Sequence, residues 1–194
     1  MQSTVRGRPR SAEADRAITD AVLGLLAEVP FADITMAGVA ARAGVSTATL
    51  YRRYASKEAL VVDAIDAEVD RDDPPDTGTL DGDLRSFLRR AVSRMSDTRR
   101  GVFLALSGEL ARHPLLAAEV RERLTKPATE RVRVMIERAV ARKEIPPVAD
   151  MDLAIAVIIG PLHYRMVVTG EPLTSRVADR LAALAMRALG CPSA

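Results

Sequence analysis

Between Phe31 and Leu60 the chain places helix-starting and helix-ending residues so close together that only two very short helices and the start of a third fit. Thr35 suits an N-cap, because its hydroxyl can accept a backbone N–H from the first helical turn. Met36, Val39, Ala40 and Ala43 then recur at helical spacing and form a narrow apolar stripe. Gly44 follows, the residue that most readily takes the positive φ of a helix stop. Ser46 suits the next N-cap, and the following helix is predicted from Thr47 to Tyr54, with Leu50 and Tyr54 turned inward four residues apart. Ala40 is small enough for the two helices to cross closely. Ser56 caps a further helix that opens with Lys57 and Glu58. A lysine in a first turn opposes the helix dipole, so at this stage Lys57 reads as a ligand for phosphate.

This layout is that of a helix-turn-helix, whose second helix enters the DNA major groove. Thr47, Ala48, Thr49, Tyr51, Arg52 and Arg53 are expected to face outward from it. Charge distribution agrees. The net charge of the whole chain is only +2, but residues 1–57 hold eight basic against five acidic residues and the remainder is slightly acidic. An imbalance of that size also arises by chance. Upstream, Arg6-Gly-Arg-Pro-Arg10 is either a solvated tail or an arm for a narrow minor groove, in which case Arg8 and Arg10 touch DNA. Ser11 is the expected cap of the first helix. Ile18, Val22, Leu25 and Leu26 form its inner face, and Pro30 ends it.

The run Val45-Ser46-Thr47-Ala48-Thr49-Leu50-Tyr51-Arg52-Arg53-Tyr54, continued by Ser56-Lys57-Glu58-Ala59-Leu60, resembles the signature of the tetracycline-repressor (TetR) family. Later, Val168-Thr-Gly-Glu-Pro-Leu-Thr174 is similar to a piece of the same family. The resemblance implies that Thr49, Tyr51 and Lys57 hold phosphates. It places Thr47, Ala48, Arg52 and Arg53 near base edges or flanking phosphates, and Thr35 and Ser46, at the helix starts, are counted with the DNA-binding residues. It also implies a ligand-responsive repressor that binds a palindromic double-stranded operator as a homodimer. One position departs from the pattern: Tyr54 stands where phenylalanine is usual, a change the packing should tolerate.

The rest of the chain reads as helix throughout. Hydrophobic residues make up 48% and aromatics only 3%, without tryptophan, so the core is aliphatic, which suits helices better than strands. A fourth helix is expected from Lys57 to Asp70, and Asp72-Asp-Pro-Pro-Asp-Thr-Gly78 is a strong breaker. Segments follow around Leu84–Met95, Val102–Leu110 and Leu115–Glu144, the last with Pro127 inside it and therefore broken or kinked. Asp150 caps a segment to about Val168, and Thr174 or Ser175 caps the last, to about Leu189.

The expectation is an all-α fold of about nine helices. An N-terminal three-helix DNA-binding domain spans 1–57, including an arm over 1–10. A C-terminal helical regulatory and dimerisation domain spans 58–194. Leu153, Val157, Ile158 and Leu162, with Val177, Leu181, Leu184, Ala185 and Ala188, exceed what one packing face needs, and Ala182, Ala183 and Ala185 allow close approach. They are either core or a four-helix dimer interface, and the second reading is preferred. Phe103, Met135, His163, Tyr164 and Met166 are candidates for an effector pocket, with core or interface as the plainer reading.

Enzyme chemistry finds little footing. The two histidines, His113 and His163, neighbour no nucleophile motif, and no Cys/His cluster has metal spacing. No cofactor is expected beyond a small-molecule effector. The single Cys191 suits a reducing cytoplasm. The apolar stretch Leu153–Val168 is interrupted by Gly160, Pro161, His163, Tyr164 and Arg165, so no membrane partner is expected. The competing function is a dimeric helical ligand-binding or protein-interaction module with a vestigial head, against which the intact outward set of Thr49, Tyr51, Arg52, Arg53 and Lys57 weighs.

Overall fold

The structure, a computed structural model, describes residues 9–66, 72–95 and 97–190, with the backbone alone at 9–11 and 97–99. The arm with Arg8, the side chain of Arg10, residues 67–70, expected in the fourth helix, and Cys191 lie outside the described residues. Helices α1 (Pro9–Glu28), α2 (Met36–Ala43), α3 (Thr47–Arg53) and α4 (Lys57–Asp66) come first. They are followed by α5 (Leu80–Ser93), α6 (Asp97–Glu109), α7 (Pro114–Val120), α8 (Lys126–Ala141), α9 (Met151–His163) and α10 (Ser175–Ala188). Among the described residues no strand occurs.

Helix α1 begins at Pro9, two residues before the expected cap at Ser11. Proline is at home in a first turn, where its missing N–H has no intrahelical partner to lose. Elsewhere the caps stand where they are expected. Thr35, Ser46, Asp150 and Thr174 each accept the N–H three residues on. Thr79 does the same for α5. Each such cap contributes about 1 kcal/mol. Pro127 is accommodated rather than breaking its helix. A π turn at Arg121–Thr125 joins α7 to α8, so α7 and α8 form one helical run and nine such runs are seen among the described residues. Proline offers no N–H and its ring presses on the carbonyl four residues back, and the wider turn relieves both.

The chain packs as two compact units. The first takes in the described parts of Met1–Val69 together with Gly101–Leu124. Its core joins Ile18, Ala21, Val22 and Leu26 of α1 to Met36, Val39 and Ala40 of α2 and to Leu50 of α3. Leu60, Val61, Val62, Ala64 and Ile65 of α4 join the same core, as do Val102, Leu106 and Leu116 of α6 and α7. The boundary expected after residue 57 is therefore corrected: α4 buries its apolar side in the head, and two later helices return to the head. Those returning helices carry the same amphipathic pattern as the others, so nothing local tells them apart.

The second unit comprises the described parts of Asp70–Arg100 and Thr125–Ala194. Its core joins Leu80, Leu84 and Leu88 of α5, Val132, Met135, Ile136 and Ala139 of α8, Ala154, Ile155 and Ile158 of α9, and Ala178, Ala182 and Ala185 of α10. Small residues let α10 lie close against α5, and Arg89 donates twice to Asp179 along their edge, at 2.7 and 2.8 Å. The breaker at 72–78 is strapped down. Thr77 donates its N–H and hydroxyl to the fully buried Asp83 at 2.6 and 2.8 Å, while Asp76 pairs with Arg138 and Arg142.

Helix α9 and the π turn Tyr164–Thr169 form one helical run, closed by Gly170 in the left-handed conformation. By length and composition Met151–Thr169 could cross a membrane, which corrects the expectation that its polar interruptions rule this out. Only 17% of that window is buried within the chain. Ala154, Ile155, Ile158 and Met166 face inward, whereas Leu153, Val157, Tyr164 and Val168 are exposed.

Candidate nucleic-acid interface

The turn between α2 and α3 is built by three residues. Gly44 takes φ +66°, where any other residue is strained. The N–H of Val45 returns to the Ala40 carbonyl at 3.0 Å. Ser46 then starts α3: its Oγ accepts from Thr49 N at 3.2 Å and lies 2.8 Å from the Thr49 hydroxyl. Leu50 is fully buried beneath the helix, with Val39 and Ala40 buried on α2. A Cβ on residue 24 would meet the Arg42 guanidinium at 2.6 Å, so glycine there lets Arg42 lie across α1 and bind Glu28 through both its terminal nitrogens. That bond holds the Glu28 carboxyl below its usual range.

With one side of α3 anchored, the other stands open. Ala48, Tyr51 and Arg52 are exposed, Tyr51 to 62%, and Thr47 and Thr49 are half-buried. Thr35 and Ser46, at the starts of α2 and α3, are exposed as well. In general, the first-turn N–H groups that a cap does not take are the kind that receive phosphate oxygens. Two basic residues are differently placed from what the spacing suggested. Arg53 is ion-paired with Asp15 of α1. The Lys57 ammonium donates to the Phe31 carbonyl at 2.9 Å and to that of Ala32 at 3.2 Å, and lies 4.3 Å from the centre of the Phe31 ring. Lys57 therefore has a local role after all: it caps the short turn that leads into α2, and only one of its three N–H donors is left over.

Tyr54 closes α3, its N–H bonding the Leu50 carbonyl at 2.8 Å. Its ring packs against the head core, and its hydroxyl donates to Asp63 Oδ2 at 3.1 Å. Burial and the Asp63 charge push this phenol up to about 12. Because ionisation is harder in the folded head than in the unfolded chain, the stability tied to the neutral phenol is complete below about pH 10. It is lost as pH rises toward 12. A spectroscopic titration of the three tyrosines is expected to show one late phase, absent from Tyr54→Phe. If the three ionise together, Tyr54 is not held as described.

The residues suggested for an effector pocket stand in different settings. Met135 is fully buried in the second core, Met166 is buried, and His163 and Tyr164 are exposed. Phe103 belongs to the first unit. None of the five lines either described surface cavity. One of these, about 380 Å³, is bounded by Pro146, Pro147, Asp150, Leu153, Val157 and Leu189, and the other by Asp72–Asp76 and Arg90. An apolar residue at helical spacing looks the same in sequence whether it faces a cavity or a neighbouring helix. The interface set divides similarly. Leu153, Val157, Leu184 and Ala188 are exposed, Leu162, Val177 and Leu181 are half-buried, and Ala185 is buried against the chain's own core, as is Ile158. For Ala185 the interface expectation is corrected: α10 spends its alanine stripe on α5 and α9.

A short helix capped at Ser46, anchored by Leu50 and open along Ala48, Tyr51 and Arg52 defines a DNA-binding protein of the helix-turn-helix class. Comparison with known proteins narrows this. Residues 18–64 match the family model for bacterial regulatory proteins of the tetR family, and residues 74–185 match that for the tetracyclin repressor-like C-terminal domain. The chain belongs to the TetR family and is a DNA-binding transcriptional regulator. It is 30% identical to the uncharacterized HTH-type transcriptional regulator YdeS of Bacillus subtilis over 195 residues, covering all of this chain and 98% of that one. It is also 30% identical to the DNA-binding transcriptional repressor TetR of Mycobacteroides abscessus, covering 91% of each. Among solved structures it resembles the flavonoid-responsive regulator FrrA with a TM-score of 0.68 and 25% identity, covering 92% of this chain and 95% of that one.

Proposed function

We propose that this regulator is a ligand-responsive repressor that binds a palindromic operator as a homodimer. The observation that carries the reading is the open face of α3, with Ala48, Tyr51 and Arg52 exposed above a buried Leu50. One such helix reads only a few base pairs, whereas two related by a twofold axis read half-sites about 34–36 Å apart. The second copy has a surface to use: Leu153, Val157 and Leu184 are exposed apolar residues on α9 and α10. Repression is supported by the description of the Mycobacteroides relative, and a small-molecule effector by that of FrrA. A ligand that favours the unbound form weakens DNA binding by linkage. A regulator of this class acts where the chromosome is, in the cytoplasm.

Arg52 is the basic residue of α3 assigned to a base edge, where a bidentate contact to guanine gives about 1–3 kcal/mol of discrimination. Thr35, Ser46, Thr47, Thr49 and Tyr51 are assigned to phosphates and the flanks of the site. Lys57 is assigned to phosphate through its remaining donor.

Selection of bound duplexes from random DNA tests the reading. A palindromic consensus is expected, and recovery of no sequence preference would overturn it. With the selected duplex, Lys57→Ala is expected to flatten the dependence of log affinity on log salt by about 0.9 per subunit. An unchanged slope with weaker binding would make Lys57 a brace for the Phe31–Ala32 turn alone.

A further inference from the structure

We propose that Arg123 is a positioning residue for DNA recognition: from a π turn it grips Asp63, and Asp63 holds the Tyr54 hydroxyl at the C-terminal cap of the recognition helix. The inference rests on the DNA-binding reading above and extends it to a residue remote in sequence from the helix-turn-helix.

The contacts form a chain within the first unit. Arg123 donates to Asp63 Oδ1 through Nη2 and to the Ala59 carbonyl through Nη1 at 3.3 Å, and its Nη2 lies 3.5 Å from Asp66 Oδ2. One guanidinium therefore spans two turns of α4. Asp66 is nearly buried, at 8% exposure, and stands one helical turn from Asp63. Arg123 thus meets both carboxylates of this stretch of α4, which lie one turn apart and gain from a cation beside them. The other oxygen of Asp63 accepts the Tyr54 hydroxyl at 3.1 Å.

Three features separate this from ordinary packing. The ring at position 54 packs against the head core by itself, and its hydroxyl adds a directed bond that this packing does not need. That hydroxyl is aimed at the Asp63 carboxylate, whose other oxygen Arg123 grips. Arg123 itself sits in the π turn Arg121–Thr125, and such turns recur at functional positions because they displace side chains from the regular helical register. Finally, Tyr54 is three residues beyond Tyr51 and two beyond Arg52, so whatever fixes its hydroxyl fixes the end of α3 that carries those two side chains. A planar fork with two terminal nitrogens, acting on a carboxylate and a carbonyl together, sets direction as well as distance.

The test is a binding series with the full-length protein. One probe is a duplex selected from random DNA by the wild type, and the other is a scrambled duplex of equal length, each measured at two salt concentrations. Tyr54→Phe removes a single oxygen and keeps the ring, and Arg123→Ala removes the grip. Each is expected to weaken binding to the selected duplex about tenfold and leave the scrambled duplex unaffected. The double variant is expected to lose no more than the worse single variant, because both act through one chain. The salt slope stays at the wild-type value, since Arg123 touches no phosphate. If Arg123→Ala does not fold, Asp63→Asn replaces it, since it keeps an acceptor for the hydroxyl and loses the charge that Arg123 grips. Losses that add, losses shared by both duplexes, a reduced salt slope or wild-type affinity in Tyr54→Phe would each overturn the proposal. A wild type that distinguishes no duplex overturns instead the DNA-binding reading beneath it.

Discussion

Replacing Leu153 and Leu184 together by aspartate is expected to leave the chain folded but monomeric and to lower operator affinity by about a thousandfold or more. Both side chains are already exposed in the single chain, at 61% and 52%, so the second core loses little. In a twofold assembly each substitution counts twice. Four leucines, each a little over half exposed in the single chain, forfeit about 3–7 kcal/mol in all at roughly 1.5–3 kcal/mol for a complete burial, before the cost of placing aspartates against an apolar surface. Loss of the dimer removes one of the two recognition helices, and the duplex is then held by a single half-site. Sedimentation at micromolar concentration together with a mobility shift on the selected duplex checks this. A variant that stays dimeric and binds as the wild type does would show that this face is not where the two copies meet.

Leu50→Ala is expected to have the second largest effect and to act within the head. Leu50 is fully buried beneath α3, in a core shared with α1, α2 and α4. Truncating a buried leucine costs about 2–5 kcal/mol, the higher end applying where neighbours cannot close the gap. Helix α3 has seven residues, too few to persist without that anchor. Loss of specific DNA binding is therefore expected at temperatures where the second unit still melts normally. Calorimetry would register this as an early transition separate from the main one. A variant with a single unshifted transition and normal DNA binding would mean that Leu50 is not what holds the recognition helix down.

The head was legible because its instructions are local. Thr35, Ser46 and Ser56 each bond within three residues, Gly44 adopts a conformation that its lack of Cβ permits, and Leu50 follows from helical spacing. Asp150 and Thr174 were legible for the same reason. The open face of α3 followed once its buried face was known, and that is why Ala48, Tyr51 and Arg52 are found exposed as expected. The partners of the long side chains were not legible. Arg53 reaches Asp15 across 38 positions, Lys57 reaches the Phe31 carbonyl across 26, and Arg123 reaches Asp63 across 60. A charged side chain in sequence carries no mark of which distant group will meet it.

Order along the chain set the helices, their caps and the identity of the DNA-reading segment, because hydrogen bonds that close over three or four residues depend on little else. Division of the molecule had another origin. Helices α6 and α7 return to the head, and the alanines of α10 turn inward toward α5 while Leu153 and Leu184 turn out. Those outcomes depend on which apolar faces find each other, and every amphipathic helix offers a face of nearly the same free energy per unit area. Only shape and volume in the assembled fold select among such faces, so the interior, the exposed apolar residues of α9 and α10 and the contact of Arg123 with Asp63 were settled there.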